Sequence, residues 1–575
     1  MGVERKILTG LAVVAGCFGA ALAQEGAEYS RIISTGDAGP RGETYGSLTQ
    51  GVIGGDSSLA VLGTDFGSES ARVWAGRAGG FAVVAAEGEA APGTDANFTE
   101  FGGLSINGVG NATFFADLDD AGLQGGYYAV DASGLVQAIR ENEPFGDFPG
   151  AVLNGGGTPA YALGNVLAVK LELDEGDAGL TTVLATGRPG NLSVAFAEGR
   201  LAPGGAGLPA DLTFGRIFGD GFDSFNDPGA LLGFNDSQEI IFVAEVRSES
   251  QELNETAVYA GPVGSPRVVA LTEETAPGTG GETYFRFGAP SISSNGLIAF
   301  YAETQPTSAS VEFFGGGIFL GRASGVEPVV KLGTLVPGGG PGVVFGDLSG
   351  PVVNARGDLV FFAEIEYPNE LRRSSVWLKR VGEDPVLVAA TGNVFETPDG
   401  PAEVTGVRFE GVAAFNDLNQ ATFILSFGGR DGLYVADVRS GYPVVRITSP
   451  ARRSDQVTTR RTTLIAGTAE DASGVRRVDY EVVGRGEAKG KTDGEKRRRG
   501  RRKRVERSVV VAPNGRWSFR APLQMGRNRV SVTATDRLGN TSPSCDFTVI
   551  RWRGADGAEG RRALRKLRRS VRVAH

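Results

Sequence analysis

The stretch Ser291–Phe300, SISSNGLIAF, reads as the centre of a tight hairpin. A strand carrying Pro290 and Ile292 runs into a turn that ends at Gly296, and a second strand, Leu297 to Phe300, leaves it. The device recurs along the chain. INGVGNATFF passes through Phe114, NARGDLVFF through Phe361 and NDLNQATF ends on Phe423, with looser copies through Val61, Ala168 and Phe242. The seven copies are separated by 53, 54, 74, 58, 61 and 62 residues, a period that indicates a repeat architecture. Asn suits the first turn position because its side chain bonds to backbone two residues on, and Gly suits the last because it accepts positive φ. Asn107 and Gly110 bracket one such turn, Asn354 and Gly357 another.

Around each hairpin the repeat extends to four strands. In the fifth repeat they are expected at 285–292, 297–303, 317–321 and 328–332. The third strand brings a bulky residue to one matching place: Trp74, Tyr128, Leu184, Tyr259, Phe319, Trp377 and Tyr434. Such residues are expected in the core between neighbouring sheets. The 88 glycines punctuate short apolar runs instead of forming tracts, so they mark turns. The class is all-β, and four short strands repeated seven times is the pattern of a seven-bladed β-propeller over residues 29–446. The chain opens on a fourth-strand copy, Arg31–Thr35, and its last repeat ends near Tyr442–Arg446. Ring closure through the N-terminal strand follows, which removes exposed sheet edges.

These residues carry a resemblance. The hairpin resembles an exported bacterial tandem-repeat family with the pattern N-x-x-G-x-x-A-F, and the strand order is similar to TolB-type propeller repeats. The resemblance implies the fold and no activity. The copies through Val61, Ala168 and Phe242 depart from the strict pattern, which predicts irregular blades there.

From residue 447 the texture changes to alternating strands, expected to form an immunoglobulin-like β-sandwich over 447–550; the runs Gly467–Val475 and Ala534–Asn540 resemble bacterial Ig-like modules. A basic loop, 486–504, interrupts it, and a basic tail, 551–575, carries Leu564, Leu567 and Val571 at helical spacing. Residues 1–445 hold a net charge of −30 and residues 446–575 a net of +20, a split that marks two domains with different partners.

Residues 1–23 read as a signal peptide: Arg5 and Lys6, an apolar core from Ile7 to Ala15, and Ala21-Leu22-Ala23 before Gln24. Val14-Ala15-Gly16-Cys17 supports a second reading, a lipoprotein anchored at Cys17. The destination is extracellular, cell surface or periplasm. Cys545 is the one cysteine beyond this leader, and the single histidine is His575. Ser-His-Asp and Cys-His catalysis and histidine metal triads are therefore excluded from the body of the chain.

Three residues after the repeat aromatic an acid recurs: Asp117, Glu245, Glu303 and Glu364. In a ring fold these form a set of like charges at one height, near the Pro-Gly connections, and like charges so placed call for solvation or a cation. Asp220, Asp223 and Asp227, with Asn226, offer oxygen ligands of a kind that suits Ca²⁺; no other cofactor is expected. The basic candidates for an extracellular polyanion, an acidic polysaccharide or anionic lipid, are Lys496, Arg497, Arg498, Arg499, Arg501, Arg502, Lys503 and Arg504, with Arg565, Lys566, Arg568 and Arg569 in the tail. No specific nucleic-acid contact and no membrane span of the mature chain are expected. The leading expectation is a non-enzymatic binding scaffold at the surface or envelope. The alternative is a propeller-type hydrolase or lyase of carbohydrate that uses carboxylates on the loop face.

Overall fold

The computed structural model describes residues 28–551, apart from short internal stretches of which the longest are 218–231, 307–314, 438–443, 450–455, 486–501 and 537–544. The signal and lipobox residues, Asp220, Asp223 and Asp227, Lys496–Arg501 and the basic tail lie outside the described residues. The described residues form an all-β chain in two units, 1–438 and 439–575.

Among the described residues, the first unit holds seven antiparallel sheets in chain order and one small extra hairpin. The fifth sheet is the plainest: Thr283–Ile292, Ile298–Gln305, Gly315–Arg322 and Gly325–Lys331 pair in that order. The third and fourth sheets differ in having their first strand split in two. Val152–Gly156 and Ala160–Ala162 share the partner Val166–Asp174, and Thr213–Ile217 and Leu232–Phe234 share Glu239–Ser248. The seventh sheet takes its outer strand from the start of the chain. Glu28–Ser34 pairs with Asp431–Asp437, with Arg31 opposite Tyr434.

That borrowed strand moves the domain boundary. The run after Tyr442, expected as the last strand of the seventh repeat, is not used there. Val444–Ser449 instead pairs with Thr462–Glu470 in the second unit, because Glu28–Ser34 already occupies the outer position.

The register explains why an aromatic recurs. The repeat position and the bulky third-strand residue stand directly opposite: Val61 and Trp74, Phe114 and Tyr128, Phe242 and Tyr259, Phe300 and Phe319, Phe361 and Trp377, Phe423 and Tyr434. Directly opposed rings are the closest side-chain pairs a sheet offers. The rings of Phe242 and Tyr259 stack at 5.3 Å and those of Phe300 and Phe319 at 5.6 Å. The third sheet is offset by two residues: Ala168 faces Thr186, and Leu184 faces Lys170. Its hairpin loop is shorter, since Ala162 already pairs with Val166. Lys170 is buried and is paired with Glu172.

Each sheet is covered on both faces by its neighbours. Along Glu239–Ser248, Phe242 and Ala244 join one core cluster and Ile241 and Val243 another. A strand buried on both sides reads as a continuous apolar run, as EIIFVAEV does, and not as an alternation. The packing order closes on itself: Ile424 and Leu433 of the seventh sheet share a cluster with Val61 and Trp74 of the first and with Ile33 of the borrowed strand.

A second set of bonds joins the hairpin turns. The side-chain oxygen of Asn416 accepts from the amides of Leu418 and Gln420, and that of Asn235 from Ser237 and Glu239. The Asn416 amide then donates to the Gly54 carbonyl of the first sheet at 3.0 Å, and Asn235 to the Ser293 carbonyl of the fifth at 2.8 Å. Asn295 reaches Ala355 of the sixth sheet at 2.7 Å. Asn354 bonds Asn419 of the seventh, and Asn111 bonds Asn165 of the third. The copies expected to be irregular still turn: in the first and fourth sheets Ser57 and Gln238 stand where other copies place glycine, at φ of 67° and 60°. Positive φ at such residues costs on the order of 1 kcal/mol.

The second unit has a three-stranded sheet, Val444–Ser449, Thr462–Glu470 and Arg516–Pro522, and a five-stranded sheet in the order Gln456–Thr458, Cys545–Arg551, Gly526–Asp536, Val475–Arg485 and Arg502–Val509. The two share one core, in which Tyr480 of one sheet lies flat on Phe519 of the other at 3.6 Å. Cys545 is buried in that core. The basic loop is shorter than expected: Arg502, Lys503 and Arg504 belong to a strand, opposite Arg485, Gly484 and Val483. That strand, Arg502–Val509, forms the edge of the sheet beside Val475–Arg485.

Three outcomes are expected. Asn416→Ala removes acceptors for two turn amides and the inter-sheet donor together, so the urea midpoint should fall by the equivalent of about 2–4 kcal/mol. Gln238→Gly, which relieves only the backbone, should raise it by about 0.5–1 kcal/mol. Deleting residues 28–34 uncovers Leu433 and the edge of Asp431–Asp437; the shortened protein should lose its cooperative thermal transition or aggregate on size exclusion.

Candidate functional site

The four recurring acids lie at equivalent places, on the second strands of the second, fourth, fifth and sixth sheets. In an antiparallel meander these strands start at the hairpin turns and run toward the edge that holds the Pro-Gly connections. Their surroundings differ. Arg247 pairs with Glu245 at 2.6 Å, and Arg372 lies 3.5 Å from Glu364. Glu303 stands opposite Arg286 in the register. Asp117 stands opposite a second acid, Glu100. No group of three or more His, Cys, Asp or Glu able to hold a metal ion occurs among the described residues.

Asp117 has a further acidic neighbour that the repeat pattern did not flag. Glu141, which follows the fourth strand of the same sheet, is 6% exposed. Burial first, and the nearby charge of Asp117 second, push its carboxyl up to about 7; Asp117 is raised by burial and then by Glu100.

A concavity with converging polar groups lies elsewhere in the first unit, where the borrowed strand meets the seventh sheet. A cavity of about 540 Å³ is lined by Ser34–Asp37, Phe66, Thr397, Asp399, Ala402, Phe427, Arg430 and Asp431. One wall is the extra hairpin, Val394–Thr397 with Gly400–Glu403, which has no counterpart among the described residues of the other repeats. Phe395 anchors it: its buried ring meets Tyr29 edge-on at 5.2 Å and Tyr434 at 5.5 Å. The opposite wall is the turn between the middle strands of the seventh sheet. There Asp431 accepts from Ser426 at 2.7 Å and from the Leu48 amide at 3.1 Å, and pairs with Arg408 at 2.9 Å. Arg31 pairs with Asp37 at 2.6 Å, and Arg430 with Asp399 across the opening. Phe66 is 65% exposed.

A smaller cavity, about 170 Å³, is lined by turn residues of all seven sheets, among them Gly54, Gly108, Tyr161, Asn235, Ser293, Val353 and Asn416. It marks where the hairpin turns converge. Its polar groups are engaged in holding the turns: Asp417 accepts from Ser294 at 2.5 Å and from the Ala355 amide at 2.7 Å.

Sequence reasoning missed the pocket at the seam, because its residues come from 34–37, 66 and 397–431 and none sits at a repeat position. One signal was available. Thr397-Pro398-Asp399-Gly400 is a turn sequence inside the 62-residue interval between Phe361 and Phe423, longer than the 53 residues of the first interval.

The Glu141 carboxyl provides a prediction with a definite sign. Its folded pKa lies above the ordinary carboxylate value, so the folded protein holds an extra proton between roughly pH 4.5 and 7. Stability tied to that proton is complete below the unfolded pKa and declines as pH rises toward and through 7. Glu141→Gln should leave stability at pH 4.5 nearly unchanged and raise it at pH 8 by on the order of 2 kcal/mol, measured by urea unfolding at both pH values.

Comparison with known proteins places the chain as follows. No curated protein matches it in sequence. Among solved structures it is similar to the β-propeller domain of the trilobed protease from Pyrococcus furiosus, described as having an open velcro topology, with 8% identity, 69% of this chain and 95% of that one covered and a TM-score of 0.36. It is also similar to the Dos1 propeller, with 10% identity, 71% and 94% covered and a TM-score of 0.32. The fibronectin(III)-like modules of CbhA from Clostridium thermocellum match at 17% identity, 37% and 96% covered and a TM-score of 0.15. At such scores no property of those proteins carries over. The sequence profile that spans residues 24–439 is decisive, and by it the chain belongs to the family of unknown function DUF7453.

Proposed function

We propose that this is an exported, non-enzymatic binding scaffold: a seven-bladed β-propeller followed by an immunoglobulin-like sandwich whose basic face holds a polyanion of the cell envelope. The cyclic packing order and the strand borrowed by the seventh sheet support the propeller. The single shared core of the two sheets in the second unit supports the sandwich.

The observation that carries the binding role is the register of the five-stranded sheet. Arg485 lies opposite Arg502, Gly484 opposite Lys503, and Val483 between Arg504 and Arg529. Basic positions from three strands therefore share one end of the sheet, the end that continues into residues 486–501 with Lys496–Arg499 and Arg501. Arg504 is held by Glu481 at 2.6 Å and by Glu506. Basic residues clustered in this way raise the local concentration of a polyanion and release it as salt screens them. The first unit, with a net of −30 over residues 1–445, would repel the same ligand. A non-catalytic role is also favoured by the engagement of Glu245, Glu364 and Asp431 with arginines.

The test uses the full mature chain with an acidic polysaccharide, a matched neutral polysaccharide and anionic vesicles as separate probes. Retention on the acidic polysaccharide is expected, weakening at least roughly tenfold between about 50 and 200 mM NaCl. It should be lost when Lys496–Arg499 and Arg501–Arg504 are neutralised. Binding that ignores salt or survives neutralisation removes the role. Cleavage of the polysaccharide would favour the hydrolase or lyase reading, and preference for vesicles would make the target lipid.

A further inference from the structure

We infer that the pocket at the seam of the first unit is a binding site for a neutral saccharide of one or two rings. This goes beyond the polyanion reading and does not depend on it. The cavity, about 540 Å³, lies within the range of roughly 300–1,000 Å³ that small-molecule sites occupy.

Its construction separates it from the repeat. Among the described residues, the other six sheets are built without a hairpin like Val394–Glu403. Yet this hairpin is fastened by Phe395 under Tyr29 and Tyr434, and it carries Thr397 and Asp399 to the cavity wall. A rigidly held addition that supplies polar groups to a concavity is how a preorganised site is built. Two further features have no role in holding the fold. Phe66 leaves about two-thirds of its surface in water, and the Arg430–Asp399 pair is 63% and 68% exposed, a degree of exposure at which an ion pair contributes little to stability.

The charge balance selects the ligand class. Each carboxylate at the site has its own arginine: Asp37 with Arg31, Asp431 with Arg408, Asp399 with Arg430. The pocket is close to neutral, so neither an anion nor a cation meets a net attraction. Hydrogen-bonding capacity is nonetheless dense. Carboxylates accept, guanidinium groups donate, and the Thr35 and Thr397 hydroxyls, whose protons go to the Gly46 and Gly400 carbonyls, accept. A neutral ligand with many hydroxyls satisfies both kinds of group without breaking an ion pair. Phe66 adds the complementary apolar surface: the weakly positive C–H face of a pyranose ring lies on the negative face of a phenyl ring.

The experiment is titration calorimetry of the full mature chain with a panel of neutral mono- and disaccharides, alongside uronic acids and amino sugars of matched size. Neutral members should bind in the micromolar to millimolar range and charged ones at least tenfold more weakly. Phe66→Ala and Asp399→Asn, both at exposed side chains, should each weaken binding at least tenfold with the thermal transition unchanged, while neutralising Lys496–Arg504 should leave it intact. No heat of binding from any neutral saccharide at millimolar concentration overturns the inference, as does binding that both variants retain, or a preference for charged sugars. Loss of polysaccharide retention in the basic-face variant, with saccharide binding intact, shows that the two sites stand or fall separately.

Discussion

The side-chain amide at the hairpin turn is the constraint on which the first unit depends. Its oxygen closes the turn by accepting two backbone amides, and its nitrogen reaches outward to the neighbouring sheet, in Asn235 and Asn416 while also donating to Glu239 and Gln420 of its own sheet. Buried in that position, an unsatisfied N–H carries a desolvation cost of roughly 1–3 kcal/mol. In Asn235, Asn354 and Asn416 the next sheet supplies the acceptor, so one residue sets both the turn and the spacing to its neighbour. Asn107 is the exception: its nitrogen lacks a partner. In the first sheet Gly54 stands at the turn position, and the Gln50 side chain donates to the Leu104 carbonyl and accepts from the Leu104 amide of the second. A Cβ on Gly54 would stand 2.7 Å from the Asn107 carbonyl, which only glycine permits without a shift.

From that spacing the other features follow. Sheets held at a fixed interval cover one another on both faces, so the second strands lose their polar alternation and become continuous apolar runs. The aromatic pairs across the second, fourth, fifth, sixth and seventh sheets then fill the gap at equivalent places. A chain of seven such sheets would leave an open edge at the end, and Glu28–Ser34 closes it. The same strand displaces Val444–Ser449 into the second unit, where that segment becomes an edge of the three-stranded sheet. The closure is also where irregularity concentrates: the N-terminal turn, the extra hairpin and the seventh sheet's turn come together there and enclose the pocket.

Glu141 and Lys170 show a different consequence of close stacking. Both are ionisable side chains, Glu141 at the second sheet and Lys170 in the third, and both are buried. Lys170 is compensated by Glu172, whereas Glu141 faces another acid and holds its proton near neutrality. A buried ionisable side chain thus turns into pH-dependent stability where compensation is missing.

The sequence by itself determined what is local and periodic. The Asn-to-Gly turns, the strand order within a repeat, the aromatic at each crossing and the change of texture toward the second unit follow from residue spacing, because turns and strands are governed by neighbours a few positions apart. The equivalence of Asp117, Glu245, Glu303 and Glu364 was legible for the same reason. The acidic neighbours of Asp117 were not, since Glu100 and Glu141 come close to it only through pairing and packing, whereas Arg247 stands two residues from Glu245 on the same strand. Only the tertiary structure decided the domain boundary, the two-residue offset of the third sheet, the capture of Arg502–Arg504 by a strand and the pocket built from residues 34–37, 66 and 397–431. Each depends on which segment reaches a free edge or a shared face first, a competition between distant parts of the chain that leaves no mark in local spacing.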